Sequence, residues 1–166
     1  MSPQLGTRDD GQHRGTRVGM TFTRRATAVP PDIRPEWRVP LILLMVDHCR
    51  GHVASREQLH VLNSALLSTG SRRALFAALE GRLTPGLPVV QFEPALDRAL
   101  DRCVGLGLLQ LNTSRRFELS RSGESVVEAL GASKELFKGE RQLLSALPRS
   151  LSQAAIRKVL SERRTS

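Results

Sequence analysis

The 166-residue chain has no tyrosine, one tryptophan and five phenylalanines, so aromatics make up only 4% of it. With hydrophobic residues at 40%, a core has to be built from leucine, valine and alanine, a composition that favours helices over sheets. The only two cysteines, Cys49 and Cys103, fall on predicted apolar helix faces. At that separation they make no metal motif and no disulfide framework, and they read as small buried hydrophobes in a reducing cytosol. Long apolar runs are missing too. The longest, Val39 to Val46, falls far short of the roughly 20 residues needed to span a bilayer. The first residues lack the apolar stretch of a secretory signal. These absences point to a soluble, cytoplasmic protein with no membrane contact.

What is present in excess is positive charge, a net +9. Its distribution matters more than its sum. Residues 1–34 hold six arginines against three aspartates, and residues 134–166 hold eight Lys or Arg against three glutamates. Residues 35–133 are nearly balanced, with eleven arginines and ten acidic side chains. The cations therefore belong to the ends, where they raise affinity for phosphate without reading sequence.

Three regions follow. Residues 1–34, rich in Gly, Thr, Arg and Pro with no apolar period, read as a disordered basic arm. Residues 35–131 carry the main domain, and residues 132–166 a C-terminal helical extension. Pro35 suits the first turn of a helix reaching about Arg50, with Pro40 delaying its true start and Gly51 ending it. The run LILLMV leaves this helix little polar face, so it should lie centrally. Ser55 and Gln58 form a capping box for a second helix. Gly70 and Ser71 break it, with Ser71 capping a third that buries Leu75, Phe76, Leu79 and Leu83. Val89 and Val90 are strand-prone and should add a strand to a later hairpin. Pro94 opens a fourth helix with Leu96, Ala99, Leu100, Cys103 and Val104 on one stripe.

Leu108–Leu111 and Phe117–Leu119 are two short strands around the turn residues Asn112 to Arg115. A fifth helix starts at Ser122 or Gly123 and turns Val126, Val127 and Leu130 inward. Two further helical pieces follow, one over Leu136 to Leu147 and one beyond Pro148. Helix, tight hairpin, helix over Pro94–Leu130 predicts a mainly α fold: a winged helix-turn-helix domain with a short β-hairpin wing and extra C-terminal helices.

No catalytic constellation stands out. His13, His48, His52 and His60 lack a third metal ligand at workable spacing, and Gly105 and Gly107 end a helix rather than open a phosphate loop. The expectation is a non-enzyme with no metal and no cofactor. For nucleic acid, Arg98 and Arg102 lie on the fourth helix beside Asp97 and Asp101, which offset them. Arg115, Arg116 and Arg121 at the wing, and Arg157, Lys158, Arg163 and Arg164 near the end, are the other candidates. Leu151, Ile156, Val159 and Leu160 form an apolar stripe that packs on its own domain, on a second copy as a homodimer, or on a partner. On the residues alone a dimeric transcription regulator and a protein-docking module both remain open.

Residues 56–79, REQLHVLNSALLSTGSRRALFAAL, resemble the Leu-His-x-Leu-Asn-x-Ala-Leu pattern of middle components of ABC three-component systems, bacterial defence operons related to the Lamassu type. Val90 to Leu96 and the wing ending Leu119-Ser120-Arg121-Ser122-Gly123 continue the likeness, which spans about Trp37 to Leu130. Ser64, where a bulky aromatic is common, and the arginine-rich arm depart from the pattern. The resemblance implies a winged-helix accessory subunit, similar to the kite subunits of SMC complexes. Its expected partners are an SMC-like ABC ATPase and an effector in an anti-phage or anti-plasmid complex, with non-specific DNA contact.

Overall fold

The structure, a computed structural model, describes residues 35–82, 90, 92–148, 151 and 156. They form a mainly helical fold around one helix. That helix, α1 (Pro35–His48), buries every side chain from Leu41 to Val46 and packs against neighbours on several sides, as its apolar run predicts. Pro40 lies inside it and does not delay its start. So near the first turn, its missing amide removes a single bond to the residue four back.

The chain leaves α1 two residues earlier than expected. Gly51 (φ 71°) and His52 (φ 54°) turn it through one 3-10 turn into the two-residue strand β1 (Val53–Ala54). Helix α2 (Arg56–Leu67) has the predicted capping box. Ser55 Oγ accepts the Gln58 amide at 3.2 Å and Gln58 Oε1 accepts the Ser55 amide at 2.7 Å. Helix α3 (Thr69–Leu79) follows almost at once. Its cap is Ser68 and not Ser71: the Ser68 hydroxyl accepts the Ser71 amide at 3.2 Å while its own amide closes α2 on Ser64 O. One serine thus serves two helix ends, and Gly70 sits harmlessly in the first turn of α3. Arg72 donates to the carbonyls of Ala65 (3.0 Å) and Leu66 (3.2 Å), which the end of α2 leaves without amides.

Helix α4 (Pro94–Gly105) buries Leu96, Ala99, Leu100 and Cys103 of the predicted stripe and leaves Val104 half-buried. Strands β2 (Leu109–Leu111) and β3 (Phe117–Leu119) pair antiparallel, and β1 joins the other side of β3, giving the sheet order β1-β3-β2. The third strand is therefore Val53–Ala54. Val90 is buried but carries no strand, and Val89 and Leu83 lie outside the described residues. The turn of the hairpin is held by Asn112, whose Oδ1 accepts the amides of Ser114 and Arg116, each at 3.0 Å. Arg115 takes φ 55° there, the left-handed position of a three-residue hairpin loop that glycine favours. Arg115→Gly should therefore stabilise the fold by about 0.5–1 kcal/mol, read as a raised urea midpoint with unchanged slope.

Helix α5 (Arg121–Ala132) starts one residue earlier than expected because Ser120 caps it, accepting the Gly123 amide at 3.0 Å. Val126, Val127 and Leu130 are only half-buried at the margin of the core. Helix α6 (Lys138–Ala146) is shorter than predicted, since Phe137 before it takes φ 53°. Arg141 reaches back to the carbonyls of Leu130, Ser133 and Leu136 and so closes the α5–α6 connection. Leu144, Leu147, Leu151 and Ile156 join the same core as α1 and α2. Cys49 and Cys103 are buried free thiols, each pushed by burial to a pKa of about 11. Among the described residues no helix is long and apolar enough to cross a membrane.

Candidate functional site

The densest polar chemistry lies where the N-terminus of α4 meets α1 and α2. Arg38, only 3% exposed, donates through Nη1 and Nη2 to the two carboxylate oxygens of Glu93 at 2.9 and 3.1 Å. Asn63 Nδ2 donates to the same carboxylate at 3.0 Å. The Glu93 amide donates to His60 Nδ1 at 3.3 Å, so the ring proton sits on Nε2, which donates to Asp97 Oδ1 at 3.2 Å. Arg56 pairs with the same Asp97 oxygen. The Phe92 ring lies 4.7 Å from that of His60 and is 53% exposed. The network clamps α4 onto the two preceding helices through charged groups, and the acidic side chains sit at the positive end of its dipole.

This cluster shifts its own acids. The hydrogen bonds from Arg38 hold the Glu93 carboxyl below its ordinary value against the opposing effect of burial, with Asn63 adding to Arg38. At Asp97 burial is the largest single influence and acts upward, yet the bonds from Arg56 and His60 together bring the group below its ordinary value. A carboxyl depressed in the fold stabilises it above the unfolded-chain value and loses that contribution as pH falls through the folded value. Acidification below the ordinary glutamate value of 4.5 should therefore weaken the wild-type protein. In Glu93→Gln this loss should be smaller, measured by urea midpoints at several pH values.

The other candidate cations are more scattered. Arg98 and Arg102 are exposed one turn apart on α4, with Asp101 exposed beside them. Arg115 at the hairpin tip and Arg121 at the start of α5 are exposed. Arg116 is not at the surface with them: it is half-buried, and its Nη2 donates to Val53 O at 3.3 Å and to Gln58 Oε1 at 3.2 Å. That guanidinium fixes the hairpin to β1 and α2 and is not free to meet a phosphate. Leu151 and Ile156 are buried in the chain's own core, so those two members of the apolar stripe are not a partner surface. Val159, Leu160, Arg157, Lys158, Arg163 and Arg164 lie outside the described residues.

Phe117 is 2% exposed and its ring lies under the Arg56 guanidinium at 5.5 Å, a core position rather than a base-stacking one. Large apolar side chains do reach the surface at Phe92, Leu106, Leu111 and Leu136. Among the described residues no three His, Cys, Asp or Glu side chains stand together as a metal site would require.

The α4 network is what sequence reasoning missed. The local pattern held only a hint of it: His60 and Asn63, three apart, share the inner face of α2, and buried polar groups need partners, but their spacing does not say which. Compared with protein-family models, curated proteins and solved structures, the chain matches none.

Proposed function

We propose that the chain is a non-enzymatic winged-helix accessory subunit that links an SMC-like ABC ATPase to an effector, with non-specific contact to DNA. The element order α1-β1-α2-α3-α4-β2-β3 and the sheet order β1-β3-β2 support the winged-helix reading, with α4 in the place of the recognition helix and β2–β3 as the wing. The observation that carries the docking reading is the head of α4. In a base-reading winged helix, that end offers donors to base edges and phosphates. Here it carries Glu93 and Asp97, both engaged by side chains of α1 and α2. Matched in this way, the charges give a duplex no net attraction at the head of α4 and spend its donors inside the fold, which leaves the helix suited to a protein partner.

Arg115 and Arg121, with the terminal cations Arg157, Lys158, Arg163 and Arg164, supply weak backbone contact. Co-expression with the neighbouring genes followed by size-exclusion chromatography tests the proposal. Co-elution with an ATPase subunit is the expected result, and elution alone in every combination would contradict it. The exposed pair Arg98 and Arg102 favours a second reading, a dimeric DNA-binding transcription regulator. A sequence-specific gel shift surviving about 200 mM salt would support that reading instead.

A further inference from the structure

We propose that Gln58 is a latch between the C-terminal segment and the β2–β3 hairpin, so that undocking of Leu151 loosens the hairpin. This stands whether or not the chain docks an ATPase.

Both ends of the Gln58 amide are in use. Its Oε1 accepts the Ser55 amide at 2.7 Å and Arg116 Nη2 at 3.2 Å, and its Nε2 donates to Leu151 O at 2.8 Å. Gln58 is 6% exposed and Leu151 4%, so the three bonds are made with water largely kept out. Arg116 is the side chain that ties the start of β3 inward. Among the described residues its Nε is buried with no hydrogen-bond partner, and its other bond is the one to Val53 O at 3.3 Å. Hydrogen bonds inside a protein are stronger than those that compete with water.

Leu147, Leu151 and Ile156 are each buried against the core by their apolar side chains. Once Leu151 leaves, Gln58 Nε2 loses its acceptor and the site is wetted. Water then competes for Oε1, and the Gln58–Arg116 bond weakens. Release of the segment thus reaches a hairpin more than thirty residues earlier in the chain through a single amide side chain.

Replacing that amide by a carboxylate separates the two arms. Gln58→Glu keeps an acceptor for the Ser55 amide, since glutamate also serves a capping box, and meets Arg116 as a charge-assisted pair that tolerates water. It offers no donor to Leu151 O. The test is amide hydrogen exchange on the full chain, comparing the hairpin amides of Asn112 and Ser120 with the α4-end amide of Leu106. Leu151→Asp, which drives the segment off, should speed hairpin exchange about fivefold or more while Leu106 stays unchanged, the size expected when a bond to a charged group becomes solvated.

Adding Gln58→Glu to Leu151→Asp should bring the hairpin rates back toward wild type. Hairpin and α4 rates rising together, an unchanged hairpin, or no recovery in the double variant would each overturn the latch. If Leu151→Asp does not fold, two single variants decide the matter. Gln58→Leu, which removes both arms, must loosen the hairpin, and Gln58→Glu must loosen only the 147–156 region; any other pattern overturns the proposal.

Discussion

Gly123→Ala is expected to destabilise the protein by about 3 kcal/mol, a fall in melting temperature of about 6–12 °C for a chain of this size. A Cβ on Gly123 would lie 2.2 Å from Leu108 O, 3.2 Å from Leu108 C and 3.1 Å from Leu119 Cδ2. The first two are backbone atoms at the entry to β2, and the third belongs to a buried side chain of β3. Leu108 O is already fixed by the Ser120 amide at 3.1 Å, so it has little room to retreat. The substitution would have to push α5 off the sheet. Helix propensity alone predicts the opposite, a gain of up to about 1 kcal/mol for alanine over glycine. Gly131 in the same helix supplies the control. Among the described residues nothing lies within 4 Å of a Cβ placed there, so Gly131→Ala should stabilise modestly. Equal effects at the two positions, read from urea unfolding, would show that α5 does not press on Leu108 as described.

The second large effect is at the head of α4. Glu93→Ala removes the carboxylate to which both Arg38 and Asn63 donate. Among the described residues Asn63 Oδ1 is already buried without a hydrogen-bond partner, so the variant leaves the Asn63 amide group poorer still. Losing one member of a buried ion pair typically costs about 3–5 kcal/mol, and because Glu93 is only partly buried the expected loss is about 2–3 kcal/mol. Replacing both charges with apolar side chains, Arg38→Met with Glu93→Leu, should cost less than Glu93→Ala alone, because no charge is then left stranded. A double variant at least as unstable as the sum of the two singles would show that the pair is not coupled in the way the distances indicate.

How far the sequence could be read differs from element to element. The Ser55–Gln58 capping box, the stripe on α4, the hairpin around Asn112 and the central burial of α1 were all legible, because each depends on neighbours within one or two turns. The strand β1 was not. Val53–Ala54 is too short to show a period, and only its pairing with β3 gives it a strand's geometry. Val90, with the stronger local preference, carries no strand, because strand propensity yields to tertiary context.

Arg116 read as a surface cation beside Arg115. Its place beside the turn could not reveal that α2 lies close enough to receive it. The α4 network needed contacts 30 to 55 residues apart in sequence, which no local pattern carries. Leu151 and Ile156 are buried, but the sequence pattern says only that an apolar face is covered and not against what.

In the proposed role, α4 and the hairpin form a docking module whose contact with nucleic acid is unspecific. Selection from a random duplex library at physiological salt tests it most directly, with the bound fraction sequenced and affinities measured by fluorescence anisotropy. The account predicts no enriched motif and binding that fades steeply as salt rises, as phosphate-only contact does. An enriched palindrome bound about a thousandfold more tightly than random duplex, and lost on substituting Arg98 and Arg102, would contradict it.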